Sequence, residues 1–308
     1  MHVLLSLLLG VLMAEPPAKN VRAGPQRMRV PAWTTDAQAI AVENLTAKLN
    51  GSAAKVIHIQ NGESDLVVLL VLDLVGDLSL VDPARKAIIS EIEKLPPKAY
   101  VGVLRAQDGL KVLADPTNDR EKASEAVSQI AVSGRAGLLD TVEFAARIGD
   151  SMLAKSRVRV ALVYVTDSNV ANYREDLTNP VVNSSDSRDM SRRFPEGLVK
   201  EKTTQVMAKV LRYQPPLFIV HVDYQNDRLN EAYRTGLLEM ATLTGGNAEF
   251  CRAMADIPAA IARTFETIRS HSSVELEWKP AKTNQVDILL SANGTQIRHR
   301  TRLLLKDK

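Results

Sequence analysis

The 308-residue sequence predicts an α/β fold: a doubly wound, mostly parallel sheet with helices on both faces, one antiparallel edge strand and a small flanking β element. Three observations carry this. Residues 66–72 are seven consecutive apolar residues without alternation, as in a strand buried on both faces by helices. Similar runs at 158–166 and 217–222 alternate with amphipathic stretches long enough for helices. Between the strand-like stretches 100–106 and 110–113 stands only Gln107-Asp108-Gly109, a turn that makes that pair antiparallel.

Composition bounds the class. With 45% hydrophobic and 24% charged residues, the chain lies near globular averages, which excludes wholesale disorder, collagen-like repeats and a multispanning membrane protein. Lys plus Arg (39) against Asp plus Glu (36) leaves +3, too balanced for a protein whose main work is neutralising phosphates, so no nucleic-acid partner is expected. Cys251 is the single cysteine, which excludes an internal disulfide and a cysteine-based zinc site. Its expected role is that of a small buried hydrophobe. Aromatics are scarce at 4%, so the core must come from Leu, Val, Ile and Ala.

The elements follow in order. Residues 3–14 are apolar throughout and stop at Glu15-Pro16-Pro17. A helix of that length rises about 18 Å, too short for a bilayer core of about 30 Å. It has the length of a signal-peptide core, with Ala14 placed for cleavage, although no Lys or Arg precedes it; a buried strand or a misassigned start codon is the other reading. Residues 1–14 are thus expected to be a signal peptide, and the protein to be exported, periplasmic or secreted, with no transmembrane anchor after cleavage. Residues 15–35, rich in Pro, Arg, Ala and Gly, read as a linker. In an N-terminal β segment at 36–62, stretches 39–42 and 55–59 flank Asn50-Gly51, a strong hairpin signal.

The main domain spans 63–271. Its first strand ends in Asp73, and Asp82-Pro83 reads as the start of the first helix, a capping aspartate followed by proline. Helices are expected at 119–130 and 138–154, then a strand at 158–166 ending in Asp167. A helix at 196–212, a strand at 217–222, a helix at 229–244, a short strand at 247–251 and a closing helix at 256–270 complete it. Gly245-Gly246 breaks the penultimate helix. Residues 272–308 carry three alternating strands, at 274–278, 286–290 and 297–305, expected to pack beside the domain with the N-terminal segment.

In an open parallel sheet, ligands bind beyond the carboxyl ends of the strands, which is where Asp73 and Asp167 fall. A carboxylate ending a buried strand needs a partner, either a cation or the amides of a neighbouring loop or helix start.

The strand 66–73 leading to a helix, the pair around Asp108-Gly109, and the stretches Ser133-Gly134-Arg135-Ala136-Gly137-Leu138-Leu139-Asp140, 160–167 and 243–250 together resemble the von Willebrand factor A (VWA) domains, in particular their exported bacterial subgroup. The resemblance covers about residues 65–270 and implies a protein-interaction module rather than an enzyme. It also implies a metal-ion-dependent adhesion site: Asp-x-Ser-x-Ser after the first strand, a Thr before the third helix and an Asp after the fourth strand. Those positions here are Asp73-Leu74-Val75-Gly76-Asp77, Ala136 and Asp167. Val75 and Ala136 offer no oxygen, and Mg²⁺ requires near-octahedral oxygen ligands. The resemblance therefore implies a remnant site at Asp73, Asp77 and Asp167, with no cofactor expected. A looser Ca²⁺ or Mg²⁺ site on the three aspartates is the alternative, which would make the chain a metal-dependent adhesion domain.

Enzyme signatures are missing. Neither Gly-x-Ser-x-Gly, His-Glu-x-x-His nor a phosphate loop occurs, and the five histidines are scattered; His221, inside a strand, reads as a core residue. The stretch 169–195 is long for a connection and leaves the sheet on its ligand face. Its Tyr173, Arg174, Arg188, Arg192 and Arg193 are of the types enriched at interfaces and are the candidate contacts for a protein partner. Arg298, Arg300 and Arg302 alternate on the last strand and read as a solvated face.

Overall fold

The computed structural model describes residues 25–35, 40–76, 78–173, 195–279, 283–292 and 295–305. The expected signal peptide at 1–14 lies outside them.

The main domain is a six-stranded sheet: β4 (Leu66–Asp73), β5 (Ala99–Arg105), β6 (Lys111–Thr117), β7 (Arg159–Thr166), β8 (Leu217–His221) and β9 (Ala248–Phe250), in the order β6-β5-β4-β7-β8-β9. All neighbours are parallel except β5 and β6, which the turn at Asp108-Gly109 joins antiparallel. The apolar runs have the expected cause: β4, β7 and β8 are buried at every residue. One side chain set of β4 (Leu66, Val68, Leu70, Leu72) meets α1 (Leu78–Glu93), α2 (Arg120–Ser128) and α6 (Ile257–Ser270). The other (Val67, Leu69, Val71) meets α3 (Leu138–Lys155), α4 (Pro195–Val210) and α5 (Arg228–Thr244). Among the described residues three helices lie on each face, which makes the sheet doubly wound, as expected.

Helix ends follow local chemistry. Asp119 caps α2 by accepting the Lys122 amide, and Asp227 caps α5 by accepting those of Leu229 and Asn230. Gly245 ends α5 in the left-handed conformation at φ 86°. One expectation fails: α1 begins at Leu78, four residues before Asp82-Pro83, so Pro83 sits inside the helix with no amide for the carbonyl four residues back. The apolar residues Val81, Ala84, Ile88 and Ile92 face the core, and burial of Val81 accompanies a helix that starts before the local start signal.

The flanking β element is a seven-stranded antiparallel sheet, larger than expected. It comprises β1 (Gln26–Thr34), β2 (Leu45–Leu49), β3 (Ser52–Gln60), β10 (Ser272–Trp278), β11 (Gln285–Ala292), β12 (Ile297–His299) and β13 (Arg302–Leu304), in the order β12-β1-β10-β3-β2-β11-β13. Because β12 and β13 belong to one segment, that segment covers both edges and the sheet closes around its own core, with Val30, Ala32, Leu49, Val274, Leu276 and Val286 inside. The hairpin joining β2 and β3 turns at Asn50 and Gly51, both at positive φ (49° and 78°), as the dipeptide predicted.

Two boundaries change. Residues 26–34, read as linker, form β1, which pairs with β10 over seven residues; its partner lies about 250 positions away, so no local signal marks it. The first hairpin strand is Leu45–Leu49 rather than 39–42, because Leu45, Ala47 and Leu49 alternate into the core.

The single strand expected at 297–305 is split at Arg300, whose side chain is fully buried rather than solvated. Its guanidinium donates to the carbonyls of Arg302 (2.7 Å), Gln214 (3.0 Å) and Leu211 (3.1 Å). Arg159, also fully buried, donates to carbonyls of Gly62 (2.7 Å), Ser64 (3.1 Å), Arg269 (3.1 Å) and His271 (2.8 Å). Two buried arginines thus join the barrel and its connections to the α/β sheet through main-chain oxygens, with no carboxylate among these bonds. Burial lowers both pKa values, to about 9 for Arg300 and about 10 for Arg159.

Candidate functional site at the strand ends

The register of the sheet sets Asp73 of β4 beside Thr166 of β7, and Asp167 follows directly. Both carboxylates are buried beneath the start of α3 and the loop after β4. Asp73 accepts four hydrogen bonds: from the amides of Gly137 (2.9 Å) and Leu138 (3.1 Å), and from the hydroxyls of Thr166 (3.1 Å) and Ser168 (3.0 Å). It thereby fills the positive amino terminus of an 18-residue helix. Gly137 makes this approach possible, because a Cβ there would collide with the carbonyl oxygen of Ala106.

Asp167 is satisfied from the other side. Its Oδ1 accepts the amide of Val75 at 2.8 Å and its Oδ2 that of Gly76 at 2.6 Å. The loop after β4 wraps this carboxylate so closely that a Cβ on Gly76 would lie 2.8 Å from Oδ2. Burial pushes the Asp73 carboxyl up to about 6, against the pull of its amide and hydroxyl donors. Burial raises Asp167 as well, while the Val75 and Gly76 amides oppose it.

Of the predicted metal ligands, Asp73 and Asp167 come together and Asp77 lies outside the described residues. Val75 and Ala136 present only hydrocarbon. Among the described residues no group of three or more His, Cys, Asp or Glu is arranged to hold a metal ion. Thr166 and Ser168 were not singled out from sequence; their one signal is that hydroxyl residues flank Asp167 at the end of a buried strand.

The surroundings are ordered by further polar contacts. Tyr164 and Thr141 share a hydroxyl contact of 3.0 Å, and Thr141 donates to the Gly137 carbonyl at 2.6 Å, which steadies the α3 start. His221 lies buried with its Nε2 2.9 Å from the Ser168 carbonyl, and burial lowers its pKa to about 4, so it is a neutral core residue. Cys251 is buried, and burial pushes its thiol up to about 12, as befits a packing residue. A cleft of about 520 Å³ opens beside the carboxylates, with Asp108, Arg135, Ala136, Asp140, Asn172 and Lys202 in its walls.

Tyr173 corrects the partner-surface expectation. It is 3% exposed and packs in the α3-side core, its ring centroid 6.0 Å from that of Tyr233. A short 3₁₀ turn, Val170–Tyr173, carries it inward, so the phenol serves packing. Arg174, Arg188, Arg192 and Arg193 lie outside the described residues.

The single antiparallel edge, the helices on both faces and the aspartates at the ends of β4 and β7 fall where the resemblance to von Willebrand factor A domains put them. No family model matches the sequence, and no curated protein does. Solved structures similar to the chain include a von Willebrand factor type A protein from Catenulispora acidiphila (10% identity, 92% of this chain and 74% of that one, TM-score 0.47). Others are BatB from Bacteroides thetaiotaomicron (14%, 67% and 100%, 0.39) and the PilB minor pilin from Streptococcus sanguinis (12%, 67% and 61%, 0.46). Identity and TM-score are low in all three, so no function passes from them to this chain.

Proposed function

We propose that the protein is a non-enzymatic, exported interaction module whose protein partner is held by the loops at the carboxyl ends of the sheet strands, beside a remnant metal site that binds no ion. One observation supports this above the rest: the oxygens of Asp73 and Asp167 are already engaged by four main-chain amides and two hydroxyls. In this arrangement the helix start and the β4 loop take the place of a cation, and the carboxylates hold the loops in shape. The partner contacts proposed on this face are Arg174, Arg188, Arg192 and Arg193, together with the cleft walls at Arg135 and Lys202. Export is proposed from residues 1–14; among the described residues no helix is long and apolar enough to cross a membrane.

The competing reading, a cation held by Asp73, Asp77 and Asp167, makes an opposite prediction. A ligand present at 100 times its Kd stabilises the folded state by about 2.7 kcal/mol, a shift of several degrees in melting temperature for a chain of this size. Titration with Mg²⁺, Ca²⁺ and Mn²⁺ to millimolar concentration is expected to leave the melting temperature unchanged. A rise that disappears in Asp167→Ala would replace this reading with the metal-dependent one.

A further inference from the structure

Two stretches of chain cross between the barrel and the α/β sheet, one from β3 to β4 at residues 61–65 and one from α6 to β10 at His271. They run side by side, since Gln60 is opposite Ser273 in the barrel ladder. Arg159 grips both, donating to the carbonyls of Gly62 and Ser64 on the first and of Arg269 and His271 at the second. A Cβ on Gly62 would lie 3.1 Å from the Arg269 carbonyl oxygen, so the close passage of the two connections asks for glycine there.

That glycine follows Asn61, and the pair carries chemistry of its own. A main-chain nitrogen can attack the side-chain carbonyl carbon of the asparagine before it, and glycine, with no Cβ, shields that nitrogen least. Asn61 is exposed, and its Oδ1 accepts the Glu63 amide at 3.2 Å, a bond that polarises the side-chain carbonyl and steadies negative charge on its oxygen. Among the described residues its Nδ2 has no partner, and the Gly62 amide donates no hydrogen bond. Asn50-Gly51, also exposed, is the internal contrast. There Nδ2 donates to the Gln285 carbonyl at 3.2 Å and Oδ1 accepts the Asp287 amide at 2.8 Å, so the side chain is clasped on β11 and must leave it to react. A third such pair, Asn293-Gly294, lies outside the described residues.

We propose that Asn61-Gly62 is a self-modification site at the junction of the barrel and the α/β sheet. The Gly62 nitrogen bonds to Cγ of Asn61, the Cγ–Nδ2 bond breaks, and ammonia leaves with the proton from that nitrogen, which gives a five-membered imide. Water then opens the imide at one carbonyl or the other, to isoaspartate or to aspartate. Both products add a negative charge. Isoaspartate also lengthens the main chain by one methylene, directly before a carbonyl that Arg159 holds. Modification at Asn61 therefore loosens the grip on the first connection. The inference is independent of the partner reading, because residues 61–65 enter β4 at the end opposite Asp73.

The test is peptide mapping of the folded chain after several weeks at mildly alkaline pH. Trypsin separates the two sites, Asn50 on peptide 49–55 and Asn61 on peptide 56–85. Conversion is read by the mass gained when an amide NH₂ becomes OH and by labelling with an isoaspartyl methyltransferase. In the folded chain it should run about tenfold faster at Asn61, because Asn50 must first give up two hydrogen bonds. In guanidinium chloride the two sites should convert at similar rates, since the fold and not the dipeptide sets the order. The aged wild type should melt at a lower temperature than the fresh protein, and Asn61→Gln should age without that loss. Equal conversion in the folded chain, or faster conversion at Asn50, overturns the proposal. So does an Asn61 that converts in guanidinium chloride but not in the fold, or a melting temperature that falls equally in wild type and Asn61→Gln.

Discussion

The Oδ1 of Asp73 accepts the Gly137 amide at 2.9 Å, joining the end of a central strand to the start of a helix 64 positions later. That bond places a carboxylate where the helix dipole is most positive and fixes the roof of the cleft beside it. The same carboxylate is the residue a metal site would need, so the structural and the metal-binding roles compete for the same oxygens.

Removing Asp73 should therefore cost stability. In Asp73→Ala the Gly137 and Leu138 amides and two hydroxyls lose their acceptor, at about 1–3 kcal/mol for each buried group left unpaired. Urea denaturation should show a loss of at least about 3 kcal/mol. A loss under about 1 kcal/mol would mean that water replaces the carboxylate without penalty.

Asp73 also gives a pH dependence of definite sign. Its carboxyl is raised to about 6 in the folded state, above the usual value near 4, so between those pH values the folded chain binds more protons than the unfolded one. Its contribution to stability is greatest below about pH 4 and falls as pH rises to about 6, by an amount on the order of 2–3 kcal/mol. Asp167, also raised, acts in the same direction. Comparing the stability profile of Asp73→Asn with that of the wild type isolates the effect: the variant should lose that decline between pH 4 and 6.

Gly137 should tolerate no side chain. A Cβ meets the Ala106 carbonyl, so Gly137→Ala must push the α3 start away from Asp73. The expected loss is about 2–4 kcal/mol, larger than for Ala at the open turn residue Gly109, where nothing lies within 4 Å and only the positive φ opposes it. Thermal denaturation of the two variants side by side decides the order.

Arg300 and Arg159 should couple the barrel to the α/β sheet. Arg300→Lys keeps a cation but cannot reproduce the guanidinium's spread of donors to three carbonyls. The variant should lose about 2–4 kcal/mol, and Arg159→Lys a similar amount. If the arginines are what joins the two units, the double variant should unfold in two steps by calorimetry where the wild type unfolds in one. A single transition in the double variant would show that apolar packing alone couples them.

Residues 66–72, 158–166 and 217–222 announced buried strands because a parallel sheet covered on both faces leaves no position for a polar residue. The helices between them, the Asn50-Gly51 turn and the left-handed stop at Gly245 were legible for the same reason: each depends on contacts within a few residues. The positions of Asp73 and Asp167 at the strand ends followed once the strands were placed.

What fills those carboxylates was decided by tertiary structure, since the donors come from Val75, Gly76, Gly137, Leu138, Thr166 and Ser168 on separate segments. The barrel was decided the same way: β1 has its partner in β10, and neither strand's pattern names the other. Tyr173 and Arg300 look like surface residues in the chain, yet both are buried, the phenol against Tyr233 and the guanidinium on carbonyls of Leu211, Gln214 and Arg302. Periodicity records which face of an element is apolar. It does not record which distant main-chain oxygens will be waiting to satisfy a buried cation, because those exist only after the chain has folded.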